Sequence, residues 1–560
     1  MHTNKKNIFM KKTFLKAALM FVATASAFTG FAQTNLGAAC GCPPVASRPT
    51  VNLSTKATYV GLPNDYELND CFTVLSCDTT YILDHKIYIP SGKTLIIQPG
   101  TVIKGAAAAT PAEATSLVAE VGGKLIAQGS ESCPIVFTST SDDLTGSYGI
   151  KNRGKWGGVV LLGRATNNLK SPLNVGAGKL CVSDGVGYLE GYNSTNTRNN
   201  FGKLSGSFDD NDNSGTLSYV SIRYAGAIIA LGNELNSLSL GSVGRGTKID
   251  HVEIISGDDD GIELFGGTVN LKYCATLFGA DDMLDYDLGW TGKVQFFLGA
   301  KTADTTTCPS ADHGIEADAD DNQSCYTPRS HPIIYNMTVV GSNIDYISNG
   351  DNSGRFAINA KEMTEGEIYN SVFSSFMAGF NMTKTVPAAR TTNNGGTPNE
   401  AYNNWNAGTL IVKCNTFIGC KDSLAVDRAA NGAGLSGADL TKFSVTDGNS
   451  SPSSVPGFNG AWVMDGTTNA VTTGFDAVPN PALATTCTPP NDGFFKNVSY
   501  RGAFGDGDNW LAKWSYVSIL GAAAGDGFSS SGCPTDINGD GTTNNADFLD
   551  LLGKFNQTCQ

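Results

Sequence analysis

The chain has 560 residues and a formal net charge of −14 at pH 7. Five lysines and no acidic residue lie in the first 32 residues, so the remainder carries a net charge of −19, which argues against nucleic acid or an anionic membrane as partner. Charged residues make up 16% of the chain against about 25% in a typical globular protein, and the 66 glycines exceed the usual share of about 7%.

Residues 1–32 have the features of a secretory signal peptide. Two lysines precede an apolar run from Phe14 to Ala27, and small residues at 30 and 32 allow cleavage before Gln33. The run is too short to anchor the chain, and no later stretch reaches about 18 apolar residues, so no membrane span is predicted. We expect a secreted protein.

All 14 cysteines follow the cleavage point, as expected for disulfides formed in an oxidising compartment. Residues 33–80 hold four of them, and we expect this segment to cap the first coil of the following domain, since an uncapped coil is a bare sheet edge. No Cys-x-x-Cys pair is present, so a zinc site is not predicted. Close spacing predicts four local pairs: Cys71/Cys77, Cys308/Cys325, Cys414/Cys420 and Cys533/Cys559.

Residues 81–525 are predicted to form one long β-domain. Short runs with apolar residues at alternate positions recur, and each ends at Gly, Asn or Asp. Two early segments, Ile87–Ile97 and Leu117–Ile126, match each other. A second motif recurs as Tyr219-Val-Ser-Ile, His251-Val-Glu-Ile, Asn336-Met-Thr-Val, Asn370-Ser-Val-Phe and Cys414-Asn-Thr-Phe.

The interval from His251 to Tyr273 is 22 residues, the length of one coil of a parallel β-helix. At ~3.3 Å per residue it has a contour of roughly 70 Å, enough for three short strands and their turns. A β-propeller would repeat about every 40 residues, and a β-sandwich rarely reaches this length. We therefore predict an all-β fold, a right-handed parallel β-helix (solenoid) with long loop insertions at 384–408 and 428–486 and a small C-terminal module at 526–560.

Several segments resemble a family of secreted parallel β-helix surface proteins of Bacteroidota, in order as well as in content. They are Gly154–Gly163, Asp209–Tyr219, Val243–Thr247, Ser256–Val269, Tyr500–Gly505 and Asn509–Trp514. The similarity spans roughly residues 85–516. It implies a β-helix that is secreted and located outside the cell or on the outer surface of a Gram-negative bacterium, and it implies no activity.

Acidic residues concentrate in four clusters, and adjacent carboxylates need a cation or full hydration to coexist. Asp258 and Asp281 are 23 residues apart, about one coil, so their clusters are expected to form one patch. Three interpretations stay open: solvated turns, calcium held between coils, or a catalytic carboxylate pair. The clusters are 209–212, 258–260 with Glu263, 281–282 with Asp285 and Asp287, and 316–321.

Catalysis on this scaffold would need further groups. Some β-helix polysaccharide hydrolases carry Gly-His-Gly and Arg-x-Lys motifs beside an Asp pair; this chain has no Gly-His-Gly, and its Arg-x-Lys is Arg153-Gly154-Lys155. His251 is expected to be a packed or half-buried histidine, and His313 is expected in a loop. A lyase would need a basic group as proton abstractor, for which Arg223, Arg245 and Arg355 are candidates by residue type. A catalytic groove would be lined by aromatic residues such as Tyr286 and Trp290.

The C-terminal module contains the most specific motif of the chain. Oxygen ligands stand at loop positions 1, 3, 5, 7, 9 and 12, with Gly541 at position 6, where the chain must turn sharply to wrap a calcium ion. The loop resembles a dockerin-type calcium loop, with Asp at position 12; the alternative is a polar turn. The predicted ligands are Asp536, Asn538, Asp540, Thr542 through its backbone carbonyl, Asn544 and Asp547.

The sequence predicts a secreted, calcium-stabilised β-helix with a role in adhesion or carbohydrate contact. Its partners would be Ca²⁺ and a cell-surface or extracellular polysaccharide. The alternative is a polysaccharide-degrading hydrolase or lyase on the same scaffold, since β-helices host both functions.

Overall fold

The computed structural model describes residues 36–519, apart from 62–63, 109, 111–112, 146, 170–184, 193–195, 231–232, 302–312, 320–326, 342–354, 386–399, 428–434, 453–482 and 506–507. The predicted signal peptide and the calcium loop at 536–547 lie outside the described residues. None of the helices in the described ranges is long and apolar enough to cross a membrane.

Short strands dominate the described chain, because its apolar residues alternate and its turns are rich in glycine. The strands are β1 (Thr50–Asn52), β2 (Ala57–Tyr59), β3 (Asp65–Leu68), β4 (Phe72–Leu75), β5 (Thr80–Leu83), β6 (Lys86–Ile89), β7 (Thr94–Ile97), β8 (Val102–Gly105), β9 (Ser116–Ala119), β10 (Lys124–Gln128), β11 (Ile135–Ser139), β12 (Gly158–Leu162), β13 (Val186–Tyr188), β14 (Asn200–Gly202), β15 (Gly215–Arg223), β16 (Ile228–Ala230), β17 (Asn233–Glu234), β18 (Leu238–Gly241), β19 (Lys248–Ile255), β20 (Ile262–Phe265), β21 (Asn270–Leu277), β22 (Leu284–Asp287), β23 (Lys293–Ala300), β24 (Ile315–Ala317), β25 (Ile333–Val340), β26 (Phe356–Ala360), β27 (Gly366–Tyr369), β28 (Val372–Ser374), β29 (Ala378–Met382), β30 (Leu410–Lys413), β31 (Thr416–Ile418) and β32 (Asp422–Val426). The α-helices are α1 (Ala401–Ala407), α2 (Gly437–Thr441) and α3 (Tyr516–Ile519).

Two large sheets run along the molecule, and nearly all of their neighbouring strands are parallel. The twelve-stranded sheet has the order β2-β3-β6-β9-β12-β18-β20-β22-β24-β26-β29-β32. The sixteen-stranded sheet has the order β1-β5-β8-β11-β15-β19-β21-β23-β25-β27-β30, with β4, β7, β10, β28 and β31 joined to it. Successive coils add one strand to each sheet, so the predicted all-β parallel β-helix is confirmed.

The sixteen-stranded sheet covers two sides of each coil because its long strands bend in the middle. Strand β15 bends at Tyr219, β19 at His251 and β21 at Tyr273, where φ is 51°, 49° and 57°. Asn336 and Asn370 repeat this left-handed conformation. The motif that recurs in the sequence therefore begins at the residue that turns the corner of the coil.

The side chains at these corners form a stack. The ring of His251 lies 4.3 Å from that of Tyr219 and 4.8 Å from that of Tyr273, and Phe296 follows 5.0 Å further on. Stacking at the coil repeat buries most of the imidazole, whose side chain is 17% exposed. The prediction of a packed or half-buried His251 is confirmed.

The core lies inside the coils and is continuous along the stack. Inward positions of both sheets carry aliphatic and aromatic side chains, such as Leu95, Phe137, Leu264, Tyr286 and Phe380. Each coil buries its apolar side against the next, so stability accumulates coil by coil.

A second apolar layer lies outside the sixteen-stranded sheet. Residues 494–519, here called the covering segment, pack across its outward side chains, with Phe504, Trp510 and Trp514 buried against Ile255 and Leu277. This layer withdraws one outer face of the β-helix from solvent. The outward face of the twelve-stranded sheet instead carries a column of polar side chains.

Three disulfides are present in the described chain, and two predicted pairs are wrong. Cys71 and Cys77 flank the extended strand β4, and Cys414 and Cys420 flank β31, so each pair is held too far apart for the ~7 Å Cα limit of a disulfide. The observed disulfides join cysteines 35 to 93 residues apart in sequence: Cys40–Cys133, Cys42–Cys77 and Cys414–Cys487. The predicted pairs Cys308/Cys325 and Cys533/Cys559 lie outside the described residues.

Candidate functional site

A column of polar side chains runs along the outward face of the twelve-stranded sheet. In β20, Ile262 and Leu264 point into the core, so Glu263 points outward. The register continues this column through Asp285 in β22 and Glu316 in β24. Neighbours along it are about 4.8 Å apart, the spacing of paired strands.

Two acidic turns meet at the start of this column, as the 23-residue spacing predicted. The backbone N–H of Asp282 donates to Oδ1 of Asp260 at 2.9 Å, and the N–H of Gly261 donates to the carbonyl of Asp282 at 2.9 Å. The prediction that the 258–260 and 281–282 clusters form one patch is confirmed.

Carboxylate oxygens from these turns and strands come close enough to share an ion. Asp259, Asp260 and Asp281 place one oxygen each within 4.8 Å of the others, and so do Asp260, Glu263 and Asp285. The two groups share Asp260. We call these five residues the acidic cluster.

Burial and mutual repulsion raise the pKa values of Asp259, Asp260, Glu263 and Asp285 in the acidic cluster. For Asp260 the largest cause is burial, followed by the carboxylates of Asp285 and Asp259, and its pKa lies well above the usual range. Burial and neighbouring carboxylates likewise raise the pKa of Glu263, and that of Asp259 to about 8. Without a cation, this cluster retains protons at neutral pH.

The oxygens of the cluster are incompletely satisfied by the described protein. Oδ1 of Asp285 is buried and has no hydrogen-bond partner among the described residues. The hydroxyl of Ser237, which lies against Gly257 in the first acidic turn, is fully buried and equally unpartnered. A buried oxygen without a donor costs about 1–3 kcal/mol, which a bound cation would offset. An all-oxygen donor set fits Ca²⁺ or Mg²⁺ and does not fit a thiophilic metal.

A third group, formed by Asp282, His313 and Glu316, has a different character. Burial lowers the pKa of His313 to about 3, so the imidazole is neutral. Its Nδ1 accepts a hydrogen bond from the backbone N–H of Phe356 at 3.2 Å, and its Nε2 lies 2.9 Å from the side-chain amide nitrogen of Asn359. Both ring nitrogens thus have partners within the protein, so this group fits an ion poorly.

Lys361 supplies the positive charge at this end of the column. Its Nζ lies 2.9 Å from Oε1 of Glu316 and 3.0 Å from Oδ2 of Asp318. Burial by itself would raise the pKa of Glu316, but the charge of Lys361 and hydrogen bonds from Lys361 and Asn359 hold it below its usual range. The same carboxylates raise the pKa of Lys361, which therefore stays an ammonium ion.

The aromatic lining expected for a catalytic groove is wrong. Tyr286 alternates with Asp285 and Asp287 along β22, so its side chain points into the core and is 1% exposed. Trp290 is fully buried, and its indole Nε1–H donates to the carbonyl of Val269 at 3.1 Å.

The three arginines considered as bases lie apart from one another. Arg223 is buried beneath the covering segment, and Arg245 lies at the surface near Asp210. Arg355 is buried just before β26, beside His313. The 209–212 cluster is also separate from the acidic cluster, because Asp209 binds Arg164 and Asp210 accepts from the N–H of Thr166.

The site includes residues that the sequence did not single out. Lys361 belongs to it through strand pairing alone, since β24 and β26 are joined by a long insertion that hides the coil spacing. Asn236 donates to Glu263 from the turn before β18. The six predicted ligands of the C-terminal calcium loop lie outside the described residues.

The fold and this face define a parallel β-helix with a cation-competent acidic cluster on its outer surface. The family model of the pectate-lyase-like β-helix domain matches residues 67–428, and the chain belongs to this family. No curated protein and no solved structure matches the chain.

Proposed function

We propose that this protein is a secreted β-helix that binds Ca²⁺ in its acidic cluster and contacts polysaccharide on the same face. The observation that carries the proposal is the pair of carboxylate triplets sharing Asp260, beside the unsatisfied Oδ1 of Asp285. Calcium takes six to eight oxygen ligands, so an ion held by one triplet keeps coordination positions for water or a sugar oxygen.

The negative charge of the chain supports a calcium-bridged contact. A protein with a net charge of −14 repels acidic glycans unless a cation lies between the two carboxylate sets. The β-helix family supports contact with polysaccharide as a class. Adhesion at the cell surface is the role we assign to this contact.

Titration calorimetry with Ca²⁺ on the full chain tests the ion site. Asp260→Asn removes the shared carboxylate and should weaken binding most, and Asp285→Asn should weaken it less. Asp143→Asn makes the same charge change at an exposed turn and serves as the control. Equal calcium affinity in all four proteins would remove the acidic cluster as a calcium site.

We assign a second calcium site to the C-terminal loop of Asp536, Asn538, Asp540, Thr542, Asn544 and Asp547. In the full chain, Asp536→Ala or Asp547→Ala should remove one binding event and leave the one that depends on Asp260. If neither substitution changes the number of bound ions, the loop is only a polar turn.

Polysaccharide contact is tested by affinity electrophoresis with acidic glycans, in calcium and in EDTA. Retardation should require calcium and should disappear in Asp260→Asn. Retardation that persists in EDTA would show that glycan contact does not depend on the ion.

A polysaccharide-degrading enzyme is the second candidate. It is favoured by the coexistence, on one face, of Glu316 with a lowered pKa and Asp259 with a raised one, the division of roles that general acid–base chemistry uses. Release of reducing or unsaturated ends from a glycan panel, lost in Asp259→Asn, would establish the enzyme. Calcium binding without such release would favour the role in polysaccharide contact over the enzyme.

A further inference from the structure

A cleft of about 680 Å³ opens at the other end of the strands of the twelve-stranded sheet. The acidic turns precede their strands, whereas this cleft lies against the turns that follow β6, β9 and β12. Its opposite wall is the described loop of residues 197–213. It is therefore a site separate from the acidic cluster, on neighbouring coils.

One wall of the cleft is a guanidinium group held in a fixed orientation. Nε of Arg198 donates to Oε1 of Glu120 at 2.6 Å, and Nη2 donates to Oε2 of Glu67 at 2.9 Å. The guanidinium also lies over the ring of Tyr88, 4.8 Å from its centroid. Contacts on its edges and its face leave this group little freedom, which is what a pre-formed polar site requires.

The mouth of the cleft is formed by more accessible side chains. Arg164 is about half exposed, and its Nη2 donates to Oδ2 of Asp209 at 3.1 Å. Leu204 is 44% exposed and adds an apolar surface beside it. Ser205, also exposed, lines the same edge.

The described residues that line the cleft carry equal numbers of positive and negative charges. Lys124, Arg164 and Arg198 face Glu120, Asp209 and Asp212, and most of the remaining lining groups are amides, hydroxyls and backbone. An ion of either sign gains little from such a lining, in contrast to the acidic cluster. Closely spaced donors and acceptors around a small apolar surface match a neutral molecule with many hydroxyl groups.

We propose that this cleft is a binding site for a neutral glycan and that it works without calcium. Its volume falls in the range of about 300–1,000 Å³ that is typical of ligand sites. Arg164 would hydrogen-bond ring hydroxyls at the mouth, and Leu204 would contact the apolar face of a sugar ring. This site goes beyond the calcium-dependent contact, because none of its residues belongs to the acidic cluster.

The test is calorimetry on the full chain in EDTA with cellohexaose, xylohexaose and mannohexaose. At least one of these neutral probes should bind. Arg164→Gln removes the charge at the mouth, and Ser205→Trp fills it; each should weaken binding about tenfold or more. Ser444→Trp places the same side chain at an exposed position on the C-terminal coils and should bind like the native protein. Circular dichroism and unfolding midpoints verify that each variant is folded.

The outcomes separate this site from the proposed function. Neutral-glycan binding that is retained in Asp260→Asn and lost in Arg164→Gln supports the cleft, whatever the calcium titrations give. Absence of binding to all three probes at millimolar concentration overturns the proposal, and so does unchanged affinity in both Arg164→Gln and Ser205→Trp.

Discussion

The outward faces of the two large sheets deal with buried charge in opposite ways. On the sixteen-stranded sheet, Glu253 is fully buried, but Nη2 of Arg223 lies 3.9 Å from its Oε1, and the backbone N–H of Tyr516 donates to the same oxygen at 2.7 Å. On the twelve-stranded sheet, the charged groups that shift the pKa of Asp260 most are other carboxylates. The chain thus supplies the counter-charge on one face, and on the other it gathers carboxylates around one another.

From this difference we infer that the outward face of the sixteen-stranded sheet contributes to stability and that of the twelve-stranded sheet to ligand binding. The covering segment turns the first face into a second core, where burial raises the pKa of Glu253 but Arg223 and the backbone N–H of Tyr516 oppose that rise. On the second face, neighbouring carboxylates add to the effect of burial on the pKa of Asp260, and a bound cation would offset the resulting cost in folding free energy. The two faces should therefore respond oppositely to the loss of a charge.

The largest effect is expected from Arg223→Met. Removing the guanidinium leaves Glu253 buried without its cationic partner, which should lower the free energy of unfolding by about 3 kcal/mol. Urea unfolding in EDTA measures the change. The double variant Arg223→Met with Glu253→Leu is the control and should recover most of the loss. A loss below about 1 kcal/mol in the single variant would mean that the pair contributes little to the second core.

On the other face, Asp285→Asn should have opposite effects in EDTA and in calcium. In EDTA it removes a carboxyl group whose pKa is raised by burial and by the carboxylate of Glu263, and it should raise the free energy of unfolding by ~1 kcal/mol. With calcium at about 100 times its Kd, the native protein should gain ~2.7 kcal/mol, and the variant less. Equal stabilisation of both proteins by calcium would show that the ion binds elsewhere.

Much of this organisation can be read from the sequence, for a physical reason. The fold is periodic, so the motif beginning at Tyr219 and His251 marks the corner of each coil, and an interval of about one coil brings Asp259 and Asp281 together. The coil interval predicts contacts only between adjacent coils that are not separated by an insertion. Asp285 and Glu316 are paired in register, but the insertion at 302–312 separates them in the chain, and so the column was not predicted.

The errors have physical causes of the same kind. Proximity in sequence suggested Cys71 with Cys77, but a strand between the two cysteines holds them apart, and Cys77 instead bonds to Cys42 in the segment before β1. Tyr286 was expected to line a groove because it lies among acids. Strand alternation instead places it in the core, facing away from Asp285.

The calcium affinity of the acidic cluster should depend on pH in a defined direction. Burial and neighbouring carboxylates raise the pKa of Asp259 to about 8, so calcium must displace a proton below that pH. Affinity should rise by at least about tenfold per pH unit up to about pH 8. Calorimetry in buffers of different ionisation enthalpy measures the protons released. Affinity that is flat from about pH 6 to pH 8 would contradict the raised pKa.

The smallest effect is expected at His331, whose charge is balanced by the carboxylates of Glu365 and Glu367. Hydrogen bonds to Glu365 and Glu367 raise the pKa of His331 to about 9, and His331 in turn lowers the pKa of Glu367. The histidine contribution is complete below its unfolded pKa of about 6.5 and is lost as the pH rises through about 9. The carboxylate contribution is lost as the pH falls through the lowered pKa of Glu367.

Because the His331 side chain is 37% exposed, solvent screening limits this contribution to about 0.5 kcal/mol. His331→Gln should lower the free energy of unfolding by that amount near pH 6 and leave it unchanged near pH 10. The variant Glu365→Gln with Glu367→Gln removes the partners and should flatten the same pH profile. A larger loss in His331→Gln near pH 10 than near pH 6 would show that the ring acts through packing, since the charge is absent there.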